Sequence, residues 1–145
     1  VSEMWEQVKL KEKGGNKTVL AGIPESLPAL VKAYRIQDKV ANVGFDWEKR
    51  EDVWAKVKEE IAEFEVEVDH MDEAKATEEM GDLIFALVNA ARLYNIRPDN
   101  ALEKTNAKFI KRFNYIEQRA KEKGQSLNEM ALDEMEALWQ EAKKA

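Results

Sequence analysis

Between Met80 and Tyr94 the chain runs MGDLIFALVNAARLY, apolar on almost every side of a helix, with Glu79 and Asp82 at its head. A helix that is apolar all round has to be enclosed by other elements, so this segment predicts the central, most buried helix of a helical core. Only 6 glycines and 3 prolines occur among 145 residues, too few for the many turns of a sandwich or barrel. The length suits one domain with a core of its own. The expected fold is all-α, a four- to five-helix bundle.

The periodicity elsewhere agrees. Residues 1–25 carry most of the loop-forming residues (KEKGGNKTVLAGIPE over 11–25) and read as a linker or amino-terminal extension, leaving 26–145 as the helical domain. A first helix is expected from Ser26 to Gly44, with Pro28 in its first turn. Gly44-Phe45-Asp46-Trp47 then forms a turn whose aromatic residues fold back on the core. A second helix spans about Lys49 to Val68 and buries Val53, Val57, Ile61, Phe64 and Val68. The third covers about Lys75 to Asn95, and Pro98 ends that region. A fourth, about Asn100 to Lys123, buries Leu102, Phe109, Phe113 and Ile116 and stops at Gly124. Ser126-Leu-Asn-Glu129 has the form of a capping box opening a last helix, with Met135, Leu138 and Trp139 on one face.

Charge narrows the possible partners. Twenty-three Lys and Arg against 29 Asp and Glu leave a net charge of −6, which repels nucleic acid. No cysteine is present, so a metal would be a hard one with oxygen ligands. No apolar run reaches membrane-spanning length and the amino terminus lacks the form of a signal peptide, so no membrane association and a cytoplasmic location are expected.

The acidic residues of the second and third helices form a pattern. On the second, Glu60, Glu63 and Glu67 fall on one flank of the apolar face centred on Val57, with Glu59 further toward solvent. Taken alone they fit a solvated charged face. On the third helix Glu79 and Asp82 are i, i+3 on an element that has to be buried. An ionised carboxylate there costs several kcal/mol without a cation or hydrogen bonds to compensate. Lys75 and Arg92 are the basic residues nearest to them along that helix. Two bundle helices that each present a pair of carboxylates make an oxygen cage suited to Mg²⁺ or Mn²⁺.

Glu59-Glu60-x-x-Glu63 followed by Glu79-x-x-Asp82 resembles the EExxE…ExxD signature of the all-α nucleoside triphosphate pyrophosphohydrolases. The stretches LPALVKAYRIQDKVANVGFDW, KVKEEIAEF, EEMGDLIFALVNAARLY and NAKFIKRF, in that order, resemble the carboxy-terminal domain of the MazG family, a similarity covering about residues 18 to 143. The resemblance implies Glu60, Glu63, Glu79 and Asp82 as Mg²⁺ ligands, with Glu59 as a further acid of the motif. It implies cleavage of nucleoside triphosphates, ribo or deoxy, between the α and β phosphates, with either Glu59 or Glu63 taking a proton from water. Lys108 and Arg112 match the basic pair that contacts phosphates in the family. Lys75 matches a nucleotide-contacting lysine and Trp139 a nucleotide-contacting tryptophan, although a Trp four residues after Met135 fits a core position equally well. Lys143 lies one turn beyond, within reach of a phosphate. Asn89, two turns after Asp82, is expected to hydrogen-bond either a ligand or a neighbouring backbone group. Trp5, Trp47 and Trp54 read as packing residues. The resemblance further implies a homodimer, and an amino-terminal MazG domain elsewhere in the parent chain.

Two alternatives stand beside this reading. One is a narrower member of the superfamily, a dUTP or dCTP hydrolase or a phosphoribosyl-ATP pyrophosphohydrolase. The other is a helical dimerisation module without catalysis, whose acids are only a charged face. The connection between Glu63 and Glu79 is short for the family, which bears on the rim of the site but keeps both acidic pairs.

Overall fold

The computed structural model describes residues 18–145; most of the expected linker, and Trp5, lie outside them. All regular structure among the described residues is helical, as expected. We number the helices α1 (Ala29–Ala41), α2 (Val53–Asp69), α3 (Glu73–Leu93), α4 (Pro98–Glu122) and α5 (Leu132–Lys144), with short 3-10 turns at Arg50–Asp52 and Leu127–Glu129. The chain divides into two compact units, one ending at Asp99 and one spanning Asn100–Ala145.

In the first unit α2 and α3 form a helical hairpin with only three residues between them, and α1 packs against α3. The hairpin seam is built from Val53 and Val57 on α2 and Ala86 and Ala90 on α3, flanked by Leu83, Leu93 and Tyr94. Two alanines let the helix backbones approach, and burying each valine stabilises the pair by about 1.5–3 kcal/mol. At the end of the seam away from the loop, Trp54 Nε1 donates to Tyr94 Oη at 3.1 Å and the Arg50 guanidinium lies 4.8 Å from the Tyr94 ring centre. Asp72 caps α3, its Oδ1 accepting from the Lys75 backbone N–H at 3.1 Å.

Three helices end in the same way. After α1, Gly44 at φ 96° donates to Ala41 O and Phe45 donates back to Val40 O. Asn95 (φ 59°) after α3 and Gly124 (φ 68°) after α4 repeat the pattern, with Ile96 reaching Ala91 O and Gln125 reaching Ala120 O. This termination places a left-handed residue just past the helix, which glycine or asparagine tolerates best. Gly44 and Gly124 thus stop their helices as expected.

In the second unit α4 and α5 pack through Ile116, Ala120, Met130 and Leu138, with Phe113, Leu127, Met135 and Trp139 around them. Tyr115 Oη and Arg119 Nη1 both donate to Glu141 Oε1, at 2.8 and 3.0 Å.

Several expectations are corrected. Pro98 opens α4 instead of only ending the preceding region, because the first helical position needs no N–H. The capping box does not form: Ser126 makes no side-chain cap, a 3-10 turn follows it, and α5 starts at Leu132. The first helix starts at Ala29, with Pro28 at its cap. Leu102 and Phe109 are exposed, as are Ile61 and Val68. Ile61 and Val68 lie on the flank of the Val53–Val57 stripe. The third helix is only partly enclosed, since Met80, Ile84, Phe85 and Leu87 stay exposed. Phe45 is 79% exposed and does not fold back on the core.

Two glycine substitutions separate conformational from packing effects. Gly124→Ala is expected to destabilise the protein by about 1–2 kcal/mol through its left-handed φ. Gly81→Ala, inside α3 with open space where a methyl group would stand, is expected to stabilise it by about 0.5–1 kcal/mol. Urea unfolding monitored by circular dichroism measures both.

Candidate active site

The buried face of α2 reads Val53, Val57, Glu60, so the apolar stripe runs directly into an acid. The facing stripe of α3, Glu79, Leu83, Ala86, Ala90, ends in an acid as well. Glu60 is 6% exposed, Glu79 half-buried and Asp82 exposed, and one carboxylate oxygen from each lies within 4.8 Å of the others. This corrects the expectation that Asp82 is the buried acid. At about 100° per residue Asp82 lies about 70° off the centre of its stripe, whereas Glu60 is on the stripe itself.

Among the described residues, Lys56 brings a positive charge to this cluster. Lys56 Nζ lies 3.0 Å from Glu60 Oε1 and 3.5 Å from Glu59 Oε2. The hydrogen bond to Glu60, with the negative charge of Glu60 and Glu59, raises the lysine pKa against the opposing effect of burial. Glu60 Oε2 and Glu79 Oε2 are buried with no hydrogen-bonding partner among the described residues. Oxygen atoms in that state call for a cation. Three carboxylates without sulfur or nitrogen donors fit Mg²⁺ or Mn²⁺. Glu63 stands one turn beyond Glu60 and is fully exposed; the charge of Glu60, then desolvation, then Glu79 push its carboxyl above the ordinary value of 4.5.

A cavity of about 770 Å³ opens beside these acids. Lys56, Glu60 and Asp82 line it where the acids cluster. Gln37 of α1, the turn Phe45-Asp46-Trp47, and Asn89 and Arg92 of α3 form other parts of its wall. Arg92 grips both Asp46 oxygens (Nη2 at 2.5 Å, Nη1 at 3.3 Å) and donates to Asn89 Oδ1 from Nε and Nη2 at 3.1 and 2.9 Å. Asn89 therefore bonds a side chain, where a ligand or a backbone group was expected, and it lines the cavity. Trp47, expected to pack, lies at the cavity wall with 40% of its surface exposed. Lys75 is exposed in the first turns of α3.

The remaining expected residues belong to the second unit. Trp139 packs on Phe109 with ring centres 5.1 Å apart and carries the Arg112 guanidinium 5.5 Å from its own ring centre, so it is both a packing residue and a partner of a cation. Lys108 and Lys143 are exposed.

Gln37 and Lys56 went unnoticed in the sequence although both left a signal. Gln37 interrupts the helical spacing Leu30, Tyr34, Gln37, Ala41, and Lys56 precedes Glu60 by four residues, the spacing of a helical ion pair.

Two outcomes are expected. Mg²⁺ at a hundred times its Kd should stabilise the fold by about 2.7 kcal/mol, and Glu79→Gln or Asp82→Asn should abolish most of that shift in a thermal melt. Without metal, a raised Glu63 pKa means stability present at low pH and lost as pH climbs through the folded-state value above 4.5. Glu63→Gln should flatten this part of a stability–pH profile.

The sequence matches the MazG nucleotide pyrophosphohydrolase domain over residues 48–116. It is similar to the nucleoside triphosphate pyrophosphohydrolase of Escherichia coli K12 (43% identity over 144 residues, 97% of this chain and 55% of the relative). It is also similar to the nucleoside triphosphate pyrophosphohydrolase/pyrophosphatase MazG of Thermotoga maritima (37% over 142 residues, 97% and 54%) and to YabN of Bacillus subtilis (50% over 144 residues, 97% and 29%). The chain spans about half the length of the first two relatives. The acidic seam of the helical hairpin lies inside the matched segment, and residues 48–116 carry the MazG nucleotide pyrophosphohydrolase domain.

Proposed function

We propose that the chain hydrolyses nucleoside triphosphates between the α and β phosphates, releasing a nucleoside monophosphate and pyrophosphate, with Mg²⁺ held by Glu60, Glu63, Glu79 and Asp82. The observation that carries this reading is the pair of buried oxygens on Glu60 and Glu79, unpartnered among the described residues, beside Asp82. The printed names of the Escherichia coli and Thermotoga maritima relatives support it.

Water supplies the oxygen of the new P–O bond, and pyrophosphate leaves with the electron pair of the broken one. Bound Mg²⁺ supplies charge neutralisation for the triphosphate and makes water more acidic. Lys56 fixes one Glu60 oxygen and leaves the other for the ion. Glu63 and Glu59 sit at the flank, open to water. Either Glu59 or Glu63 accepts the proton that water loses. Lys75, Lys108, Arg112 and Lys143 are the cations proposed to meet the phosphates, Arg112 with a planar fork and the lysines as point charges. Asn89 and Trp139 are proposed as further nucleotide contacts.

We infer a homodimer as well. Ile61, Val66 and Val68 on α2 and Met80, Ile84 and Leu87 on α3 are exposed apolar side chains, and a second copy of the chain would cover them. Nucleoside triphosphates are cytoplasmic, which suits a chain whose described helices are all too short or too polar to cross a membrane.

Incubation with each nucleoside triphosphate, with and without Mg²⁺, should yield monophosphate and pyrophosphate only when the metal is present. Glu60→Gln, Glu79→Gln and Asp82→Asn should each lose more than about a hundredfold in rate while remaining folded. Release of diphosphate and phosphate, or unchanged rates in all three variants, would contradict the proposal.

A further inference from the structure

The two partners in the Lys56–Glu60 ion pair differ in their freedom to move. Glu60 follows Val53 and Val57 on the buried face of α2, so the packing of α2 on α3 fixes where its carboxylate stands. Lys56 lies one turn earlier on the same helix and keeps 43% of its side chain in contact with solvent. A flexible stem that is already so wet swings its ammonium into water at little cost. With the lysine in place, Glu60 Oε1 accepts from Nζ at 3.0 Å, and Oε2 is buried without a partner among the described residues. One oxygen is thus open to an ion from the outset, and the second opens when the lysine leaves.

The ammonium acts on the site in two opposite ways. It compensates a buried carboxylate, which is strongly unfavourable when its charged partner is taken away. It also places a positive charge beside Glu60 and, at 3.5 Å, beside Glu59, where it repels a second cation, most strongly where water is excluded. Lys56 lines the cavity together with Glu60 and Asp82, so an ion approaching from that space meets the lysine as well as the acids.

We propose that Lys56 is a built-in competitor of the metal ion: it holds the empty site together and is exchanged for the cation at Glu60, which lowers the metal affinity of the cage that it stabilises. This rests on the reading of Glu60, Glu79 and Asp82 as a metal cage. A lysine that served merely to orient Glu60 would have the opposite sign, because a group that aligns a ligand raises affinity.

Calorimetric titration of the full chain with Mn²⁺, and thermal melts of the metal-free protein, measure the two effects. Lys56→Met should lower the melting temperature of the metal-free protein and lower the Mn²⁺ Kd by about tenfold or more. Lys56→Arg, which keeps the charge, should stay near the parent in both. Should the methionine variant fail to fold, Lys56→Gln, which keeps a donor for Oε1 without the charge, gives the same comparison of Kd. An unchanged or higher Kd in the neutral variants overturns the proposal, as does a lower Kd with no loss of metal-free stability. Absence of Mn²⁺ binding from the parent and the neutral variants alike overturns it together with the metal cage. A lowered Kd in the neutral variants, with a parent that releases no pyrophosphate from nucleoside triphosphates, upholds the role of Lys56 and removes the hydrolase reading instead.

Discussion

A helical hairpin ordinarily closes its seam with apolar side chains, since a carboxylate drawn out of water without a partner costs several kcal/mol. Here both stripes of the seam run from apolar residues into acid: Val53 and Val57 lead to Glu60, and Ala90, Ala86 and Leu83 lead to Glu79. The close approach that Ala86 and Ala90 permit is what brings the two acids together. Lys56 compensates part of the resulting charge and leaves two buried oxygens without a partner among the described residues. The proposed chemistry depends on that deficit, because a bound cation would turn an electrostatic liability into a foothold for a polyphosphate.

The cavity shows the same economy. Arg92 closes an ion pair with Asp46 across 46 residues of sequence and steadies Asn89 through Nε and the Nη2 that it shares with Asp46. One guanidinium therefore ties the turn after α1 to α3 and sets one part of the cavity wall, while Glu60 and Asp82 set another. Gln37 connects α1 to the carbonyl of Phe85 in the same space. Fold and site share their fixing interactions, so substitutions at Arg92 or Gln37 act on both.

Helix number and type were legible because the 3.6-residue pattern is strong in α2 and α3 and because Gly44 and Gly124 end helices through backbone geometry that few other residues accept. The acidic cluster was legible as a set of residues, and its burial was not. Asp82, preceding a long apolar run, looked like the buried acid, yet helix phase puts Glu60 on the seam and Asp82 beside it. Helical wheels resolve such differences only once the facing helix is known. Gln37, Asp46 and Arg92 lie far apart in sequence or read as ordinary polar residues, and only the folded chain brings them to one cavity. Leu102, Phe109, Ile84 and Leu87 have the composition of core residues and are exposed, since hydrophobic periodicity marks a surface to be covered without saying what covers it.

The central claim, that the seam acids are a metal cage, is tested most directly by titrating the metal-free protein with Mn²⁺ and following free ion by electron paramagnetic resonance. Saturable binding in the parent that is lost in Glu60→Gln and Glu79→Gln is the result the account predicts. Binding that persists undiminished in both variants, or is absent from the parent, would contradict it.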